Sequence, residues 1–270
     1  MTSPGAASLW AVILLAATAT SGTNVRQLLE TGIEQFNAGL GAWDRAQLAE
    51  AAESFQQACN KHPDSYEAHY WLGAARFHIV LHRLGDKGDP ANRAETRRLI
   101  GEAAAPLKRA VKLNGRDSES HALLGTLIGL QIAGNPKSAL WLGPKTTYHK
   151  RHALRNDPEN PRAYYLIGTS YLNAPGILGG RETGLEFLLK AENLFMEESK
   201  KPPQPMRPTW GYSSCLTFIG RTYQEMGRTK QAETYFRKAL SVNPQDKLAQ
   251  KGLNALGKEA VGSEGNDQES

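Results

Sequence analysis

Apolar side chains recur at helical spacing along most of the chain. Between residues 210 and 244 their sizes alternate as a pair of packed antiparallel helices requires. Leu216, Ile219, Gly220 and Tyr223 share one face, Gly227 breaks the helix, and Ala232, Phe236, Ala239 and Pro244 follow on the next. Gly220 and Ala232 are small where two helix axes approach, Tyr223 and Phe236 fill the adjoining space, and Pro244 ends the second helix. The same small residue recurs as Gly73, Gly125, Gly168 and Gly220, each preceded by Leu or Ile, at intervals of 52, 43 and 52 residues. Second helices in phase with these follow from Ala58 with Phe55, Ala110 with Leu107, Ala153 with Pro158, Ala191 with Leu188 and Ala239 with Phe236.

This pattern resembles the tetratricopeptide (TPR) repeat, a helix pair with a bare period of about 34 residues, so every interval here carries an insertion. The expected fold is all-α: a TPR-type helical solenoid of antiparallel helix pairs with insertions. Residues 25–64 form a divergent first unit, with helices over Val25–Ala38 and Arg45–Lys61. Units follow at 65–116, 117–158 and 159–199, then a Pro-rich linker at 200–209, a fifth unit at 210–244, a capping helix at 245–260 and a disordered tail at 261–270. The connections Leu84–Asn92, Gly134–Lys145 and Asn173–Arg181 are rich in Gly, Pro, Asn or Asp and read as loops.

Composition adds a compartment. The first charged side chain is Arg26, and it follows an unbroken apolar run, Leu9–Ala17, that is too short to span a bilayer as a mature helix. With Ala17-Thr18-Ala19 behind it, the run reads as a signal peptide over residues 1–19, which implies a periplasmic or secreted protein; an uncleaved membrane anchor is the alternative. With 40% hydrophobic and 22% charged residues the 270-residue chain is an ordinary folded protein, and its net charge of +5 favours acidic partners only weakly. Cys59 and Cys215 fall in the first and last units, which an open solenoid holds too far apart for a disulfide, so both are expected as unpaired thiols.

From Gly134 to Ala191 the chain resembles a group of exported bacterial TPR proteins of uncharacterised function, through Leu142–Pro144, Asp157–Arg162, and Asn173 with Pro175, Gly179 and Gly180. A looser resemblance is to the TPR subunit associated with TRAP-type transporters, which implies a solute-binding accessory role as an alternative.

The concave face of such an array is lined by first helices. The positions flanking the repeated glycine are Tyr70, Phe77 and His78, then Glu119 and Thr126, then Arg162, Tyr165 and Asn173, then Arg221, Gln224 and Glu225. Of these, Tyr70, His78, Arg162, Tyr165, Asn173, Arg221 and Gln224 form the candidate partner-binding groove, a mixed aromatic and polar surface suited to a protein or peptide. The insertions 134–145 and 173–181 decide whether that groove is open or plugged. His78 and His82 share a helix face, with His69 nine residues before His78, and His149 and His152 lie three apart on another helix, but no general-base Glu or third ligand accompanies them, so no metal is assigned. Arg93, Arg97, Arg98, Lys108, Arg109, Lys112 and Arg116, then Lys145, Lys150, Arg151 and Arg155, fall on second helices and make the convex side basic. That side is either simply solvated or a contact for a membrane surface or acidic polymer. Without interleaved aromatics it does not suit nucleic acid. No nucleophile elbow, phosphate-cradling Gly loop, HExxH or CxxC occurs. The reading is therefore a noncatalytic interaction scaffold without cofactor, with the solute-binding role as the alternative.

Overall fold

A computed structural model of the protein describes residues 7–85, 91–173 and 180–266. Eleven α-helices fill it, with no strand among the described residues: α1 Ala7–Ala42, α2 Arg45–Lys61, α3 Tyr66–Gly85, α4 Ala91–Leu113, α5 Ser118–Gly134, α6 Ala139–Asn156, α7 Pro161–Leu172, α8 Arg181–Ser199, α9 Tyr212–Glu225, α10 Thr229–Val242 and α11 Lys247–Asn266. Consecutive helices pair as α1/α2, α3/α4, α5/α6, α7/α8 and α9/α10, and α11 lies on the last pair. This is a TPR-type helical solenoid.

The start signals are local and repeated. Asp117 and Asn160 cap α5 and α7 through their side chains, with Pro161 opening α7. The Ser65 hydroxyl accepts from the Ala68 N–H, and Asp246 accepts from Leu248 and Ala249, so α3 and α11 begin the same way. Each such cap satisfies amides that a helix N-terminus leaves without partners, worth about 1 kcal/mol. The entry to α9 breaks the pattern: its cap is Gly211 at φ +108°, with no side-chain hydrogen bond.

Within the pairs, a glycine of the first helix receives a bulky side chain of the second. Gly32 faces Phe55, Gly73 faces Leu107, Gly168 faces Leu188 and Gly220 faces Phe236. The first unit therefore carries the same contact through Gly32, which the glycine spacing in the sequence did not bring out. The third unit departs from it. Three residues before Ala153, where the other second helices have Phe or Leu, stands Lys150, and Gly125 meets His149 instead. Lacking that apolar knob, α6 packs on α5 and only lightly on α7.

Three boundaries differ from the sequence reading. Residues 134–145 are not an open connection: a 3-10 turn, Pro136–Ser138, leads directly into α6. Pro144 is tolerated in the second turn because the carbonyl it deprives of a partner is that of the exposed Leu140. Helix α1 begins at Ala7 rather than near Val25, and α11 runs to Asn266, beyond residue 260. Of the expected loops, residues 86–90 and 174–179 lie outside the described residues, as do the final residues 267–270 of the tail. A second internal proline, Pro106 in α4, frees the Glu102 carbonyl, and Arg76 of α3 donates to that oxygen from Nη1 at 3.1 Å. The lost intrahelical bond becomes a link between paired helices.

Gly220→Ala would set a methyl 2.8 Å from the fully buried Phe236 ring, and is expected to destabilise by about 1–3 kcal/mol. Gly143→Ala in α6 meets nothing within 4 Å and is expected to stabilise by up to about 1 kcal/mol. Urea unfolding of the two variants checks this contrast.

Candidate recognition site

The face formed by α3, α5 and α7 carries a buried polar circuit. Arg162 of α7 donates from Nε to Glu119 of α5 at 2.7 Å, from Nη1 to Glu198 of α8 at 2.9 Å, and from Nη1 to the Trp210 carbonyl at 3.2 Å. The Tyr70 hydroxyl of α3 donates to the other Glu119 oxygen and accepts from the Trp210 indole N–H at 3.1 Å. Trp210 is thus held at both its ring and its carbonyl by one connected set of charges. Burial pushes the Glu119 carboxyl upward and the Arg162 guanidinium pulls it back. Burial, with the Glu119 charge behind it, drives the Tyr70 phenol far above its ordinary range, so that it remains a donor.

The consequence is that the chain lies across its own first helices. Residues 200–211 leave α8, and their Met206 carbonyl accepts from the Trp71 indole at 3.3 Å before Trp210 settles edge-on against His78, ring centroids 5.0 Å apart. Gly211 then turns the chain into α9 in a left-handed conformation. A side chain there would be strained and would meet the Phe195 ring at 3.0 Å. The non-glycine residues with positive φ among the described residues are Trp43 and Met206, and both flank this crossing.

Helical periodicity alone leads one to expect seven exposed groove positions, and the structure separates them. Tyr70, His78, Arg162 and Tyr165 are buried, as are Phe77, Glu119 and Thr126. The connection after α8 covers Tyr70, His78 and Arg162 through Trp210, and Tyr165 packs against Phe218 of α9. Arg221 is exposed, its guanidinium 5.4 Å above the Phe218 ring, and Gln224 is half-buried. Asn173 is exposed and ends α7, its Nδ2 donating to the Thr169 carbonyl at 2.7 Å. Residues 134–145 run through the turn Pro136–Ser138 into α6, and most of the 173–181 loop lies outside the described residues.

What stays accessible beside Trp210 is a cleft of about 390 Å³ lined by Trp43, His78, Trp210 and Tyr212 with Asn37 and Asn243 among its polar groups. Asn243, at the end of α10, donates to the Gly41 carbonyl at 3.3 Å, so the first and last units meet at the cleft wall. The His78 Nδ1–H donates to the Ala74 carbonyl at 2.9 Å, which leaves the Nε2 lone pair as the remaining hydrogen-bonding capacity of that ring. Burial pushes His78 down to about 4, so the ring is neutral at physiological pH. Trp43, which sequence reasoning passed over, stacks on His82 at 5.4 Å and shapes the outer wall. A Trp forced to φ +50° is visible only in the fold.

A second histidine group joins α5 to α6. His121 Nε2–H donates to the Gly115 carbonyl at 3.2 Å, which makes its Nδ1 the acceptor for His149 Nδ1–H at 3.0 Å, and the His152 ring stacks 5.1 Å from His121. Burial and then the neighbouring His121 and His152 lower His149 to about 4. Among the described residues no group of three or more His, Cys, Asp or Glu side chains is placed to hold a metal ion. His69 is tied to the Pro63 carbonyl and to Cys59, away from His78. Cys59 and Cys215 are free buried thiols, and burial raises both.

Comparison with known proteins agrees with this architecture. Tetratricopeptide-repeat profiles match residues 213–246 and 36–81. Among solved structures the chain is similar to the HusA haemophore from Porphyromonas gingivalis, at 24% identity and a TM-score of 0.56 over 72% of this chain and 93% of that one. It is also similar to a thermophilic TPR protein of Thermus thermophilus, at 18% identity and a TM-score of 0.57 over 83% of this chain and 98% of that one. No curated protein matches the chain. The protein carries tetratricopeptide repeats and has the fold of a helical solenoid.

Arg162→Met leaves the Glu119 carboxylate buried without its cation, and is expected to cost about 3–5 kcal/mol in urea unfolding. Adding Glu119→Gln should recover part of the loss. Three depressed histidines, His78, His121 and His149, fix a pH dependence. All bind fewer protons folded than unfolded, so their stability contribution is complete above about 6.5 and is lost as pH falls, toward about 4 for His78 and His149. Thermal midpoints measured across that window should decline, and His149→Gln should flatten the decline.

Proposed function

We propose that the protein is an exported, noncatalytic scaffold that receives an aromatic or aliphatic side chain of a partner protein or peptide in the cleft between Trp43 and Trp210. The observation that carries this reading is the occupancy of the inner face. Tyr70, Arg162 and His78 hold Trp210 of the chain itself, so an incoming chain meets the edge of that crossing and not an empty trough. The cleft offers aromatic walls with Asn37 and Asn243 amides at its rim, the mixture on which interface anchors commonly rest. Its walls are held in place before a partner arrives, through Asn243 to Gly41 and through the Arg162 circuit, so little ordering entropy is lost on binding. Arg221, Gln224 and Asn173 lie exposed or half-buried on α9 and at the end of α7 and would extend the contact. Export rests on the apolar run Leu9–Ala17 ahead of the first charge at Arg26.

A second reading has one observation in its favour: about 390 Å³ is within the range of small-molecule sites, which suits a solute-binding accessory subunit of an envelope transporter. The His78 Nε2 lone pair would then accept a hydrogen bond from the solute.

The test cross-links the protein in its native envelope, identifies co-purifying proteins, and runs native mass spectrometry on the same preparation. Trp43→Ala should weaken capture of the identified partner by about tenfold or more while the circular dichroism spectrum is kept. Capture that is unchanged in that variant would remove the cleft from consideration. A retained small molecule lost in Trp43→Ala would put the solute reading first.

A further inference from the structure

Helix α6 is the second helix whose apolar knob is a lysine, and the face it turns away from α5 stands out among the described residues. The three most exposed large apolar side chains among the described residues are Leu140 at 72%, Trp141 at 69% and Tyr148 at 51%, and all belong to α6. Trp141, Pro144, Tyr148, Arg151 and Arg155 follow at helical spacing and make one continuous outer stripe, with Leu140 and Lys145 at its edges. The helix contains no Asp or Glu. Among the described residues none of Lys145, Lys150, Arg151 and Arg155 is paired with a carboxylate, whereas Arg83, Arg98, Arg109, Arg162, Arg237 and Lys238 each are. Packing explains only part of the stripe: α6 is seated on α5 through Ala153 and the histidine group, and the Tyr148 ring leans on His152 at 4.1 Å, but Leu140 and Trp141 stay largely exposed.

We propose that this outer face of α6 docks on an anionic lipid surface. Trp and Tyr are the side chains that settle at the level of lipid headgroups, with an apolar body and a polar edge. Leu140 and Pro144 supply apolar area at the same height, and the long stems of Lys145, Arg151 and Arg155 let their cations reach lipid phosphates while the rings enter. Cations that pair with no carboxylate, beside the exposed Trp141 and the half-exposed Tyr148, match an acceptor that is negatively charged at its surface and apolar just below it. The short stripe provides reversible attachment and not an anchor. The solenoid would rest on its convex side, leaving the Trp43–Trp210 cleft on another part of the molecule.

Because the run Leu9–Ala17 is itself apolar, binding to vesicles is not diagnostic, and the environment of Trp141 is what must be read. Tryptophan emission of the full chain carrying Trp10→Phe is titrated with vesicles of phosphatidylcholine alone and with vesicles containing phosphatidylglycerol. The expected result is a blue shift on the anionic vesicles, absent on the neutral ones and abolished by Trp141→Phe. Arg151→Gln with Arg155→Gln should raise the lipid concentration needed for half the shift by about tenfold or more. These positions are exposed, so the fold should survive, and circular dichroism checks that it does. No shift with anionic vesicles, or a shift that persists in Trp141→Phe, overturns the proposal. A shift that grows with protein concentration alone assigns the face to a second copy. A shift produced equally by polyglutamate assigns it to an acidic protein. Both also overturn it.

Discussion

Arg162 is the constraint around which the rest is arranged. A guanidinium with its side chain 4% exposed must be neutralised and fully hydrogen-bonded, and no single helix of the array can do both. Glu119 from one neighbouring unit, Glu198 from its own unit and the Trp210 carbonyl from the following connection together meet the requirement. Two successive units and the connection that follows them are therefore fixed relative to one another by one side chain. In an ordinary solenoid each repeat touches only its neighbours. Here a hydrogen-bond chain runs from Tyr70 of the second unit to Trp210 at the threshold of the fifth, and Asn243 reaches back to Gly41 of the first.

That closure changes what the inner face is for. An open array offers its first helices to a partner, but in this chain they receive residues 206–211, and the polar groups that would have been recognition chemistry serve as internal support. The accessible chemistry moves to the margin, where Trp43 and Trp210 frame a cleft between the first and last units. Of the four residues at positive φ among the described residues, Trp43, Met206 and Gly211 gather along this margin, as strained backbone does where surrounding structure is needed to enforce a shape, and Gly227 turns α9 into α10.

The third unit shows how one substitution in a repeat releases a helix for other work. Phe55, Leu107, Leu188 and Phe236 each fill the notch opposite a glycine, and Lys150 does not. Desolvation lowers the Lys150 ammonium, which lies 4.9 Å from the Tyr171 ring. With a weaker grip on α7, α6 turns Trp141, Tyr148 and arginines without a carboxylate partner outward, while His121, His149 and His152 hold its inner side to α5.

The sequence by itself determined the repeat. Small residues at fixed offsets, side-chain caps before first helices and prolines after second helices are local requirements of helix packing and helix ends, so they can be read one segment at a time. It also placed Tyr70, His78, Arg162 and Tyr165 on the inward face, because helical periodicity sets direction. It did not reveal that the face is covered. Residues 200–209 read as a Pro-rich linker from composition, and nothing local to Trp210 says that its partners are Tyr70, 140 positions earlier in the chain, and Arg162. Nor did spacing show that α6 would start at Ala139 and carry Pro144, since that depends on which carbonyl loses its partner and whether water can replace it. Burial, the pairing of charges and the position of the cleft are properties of distant segments brought together, and only the tertiary structure decided them.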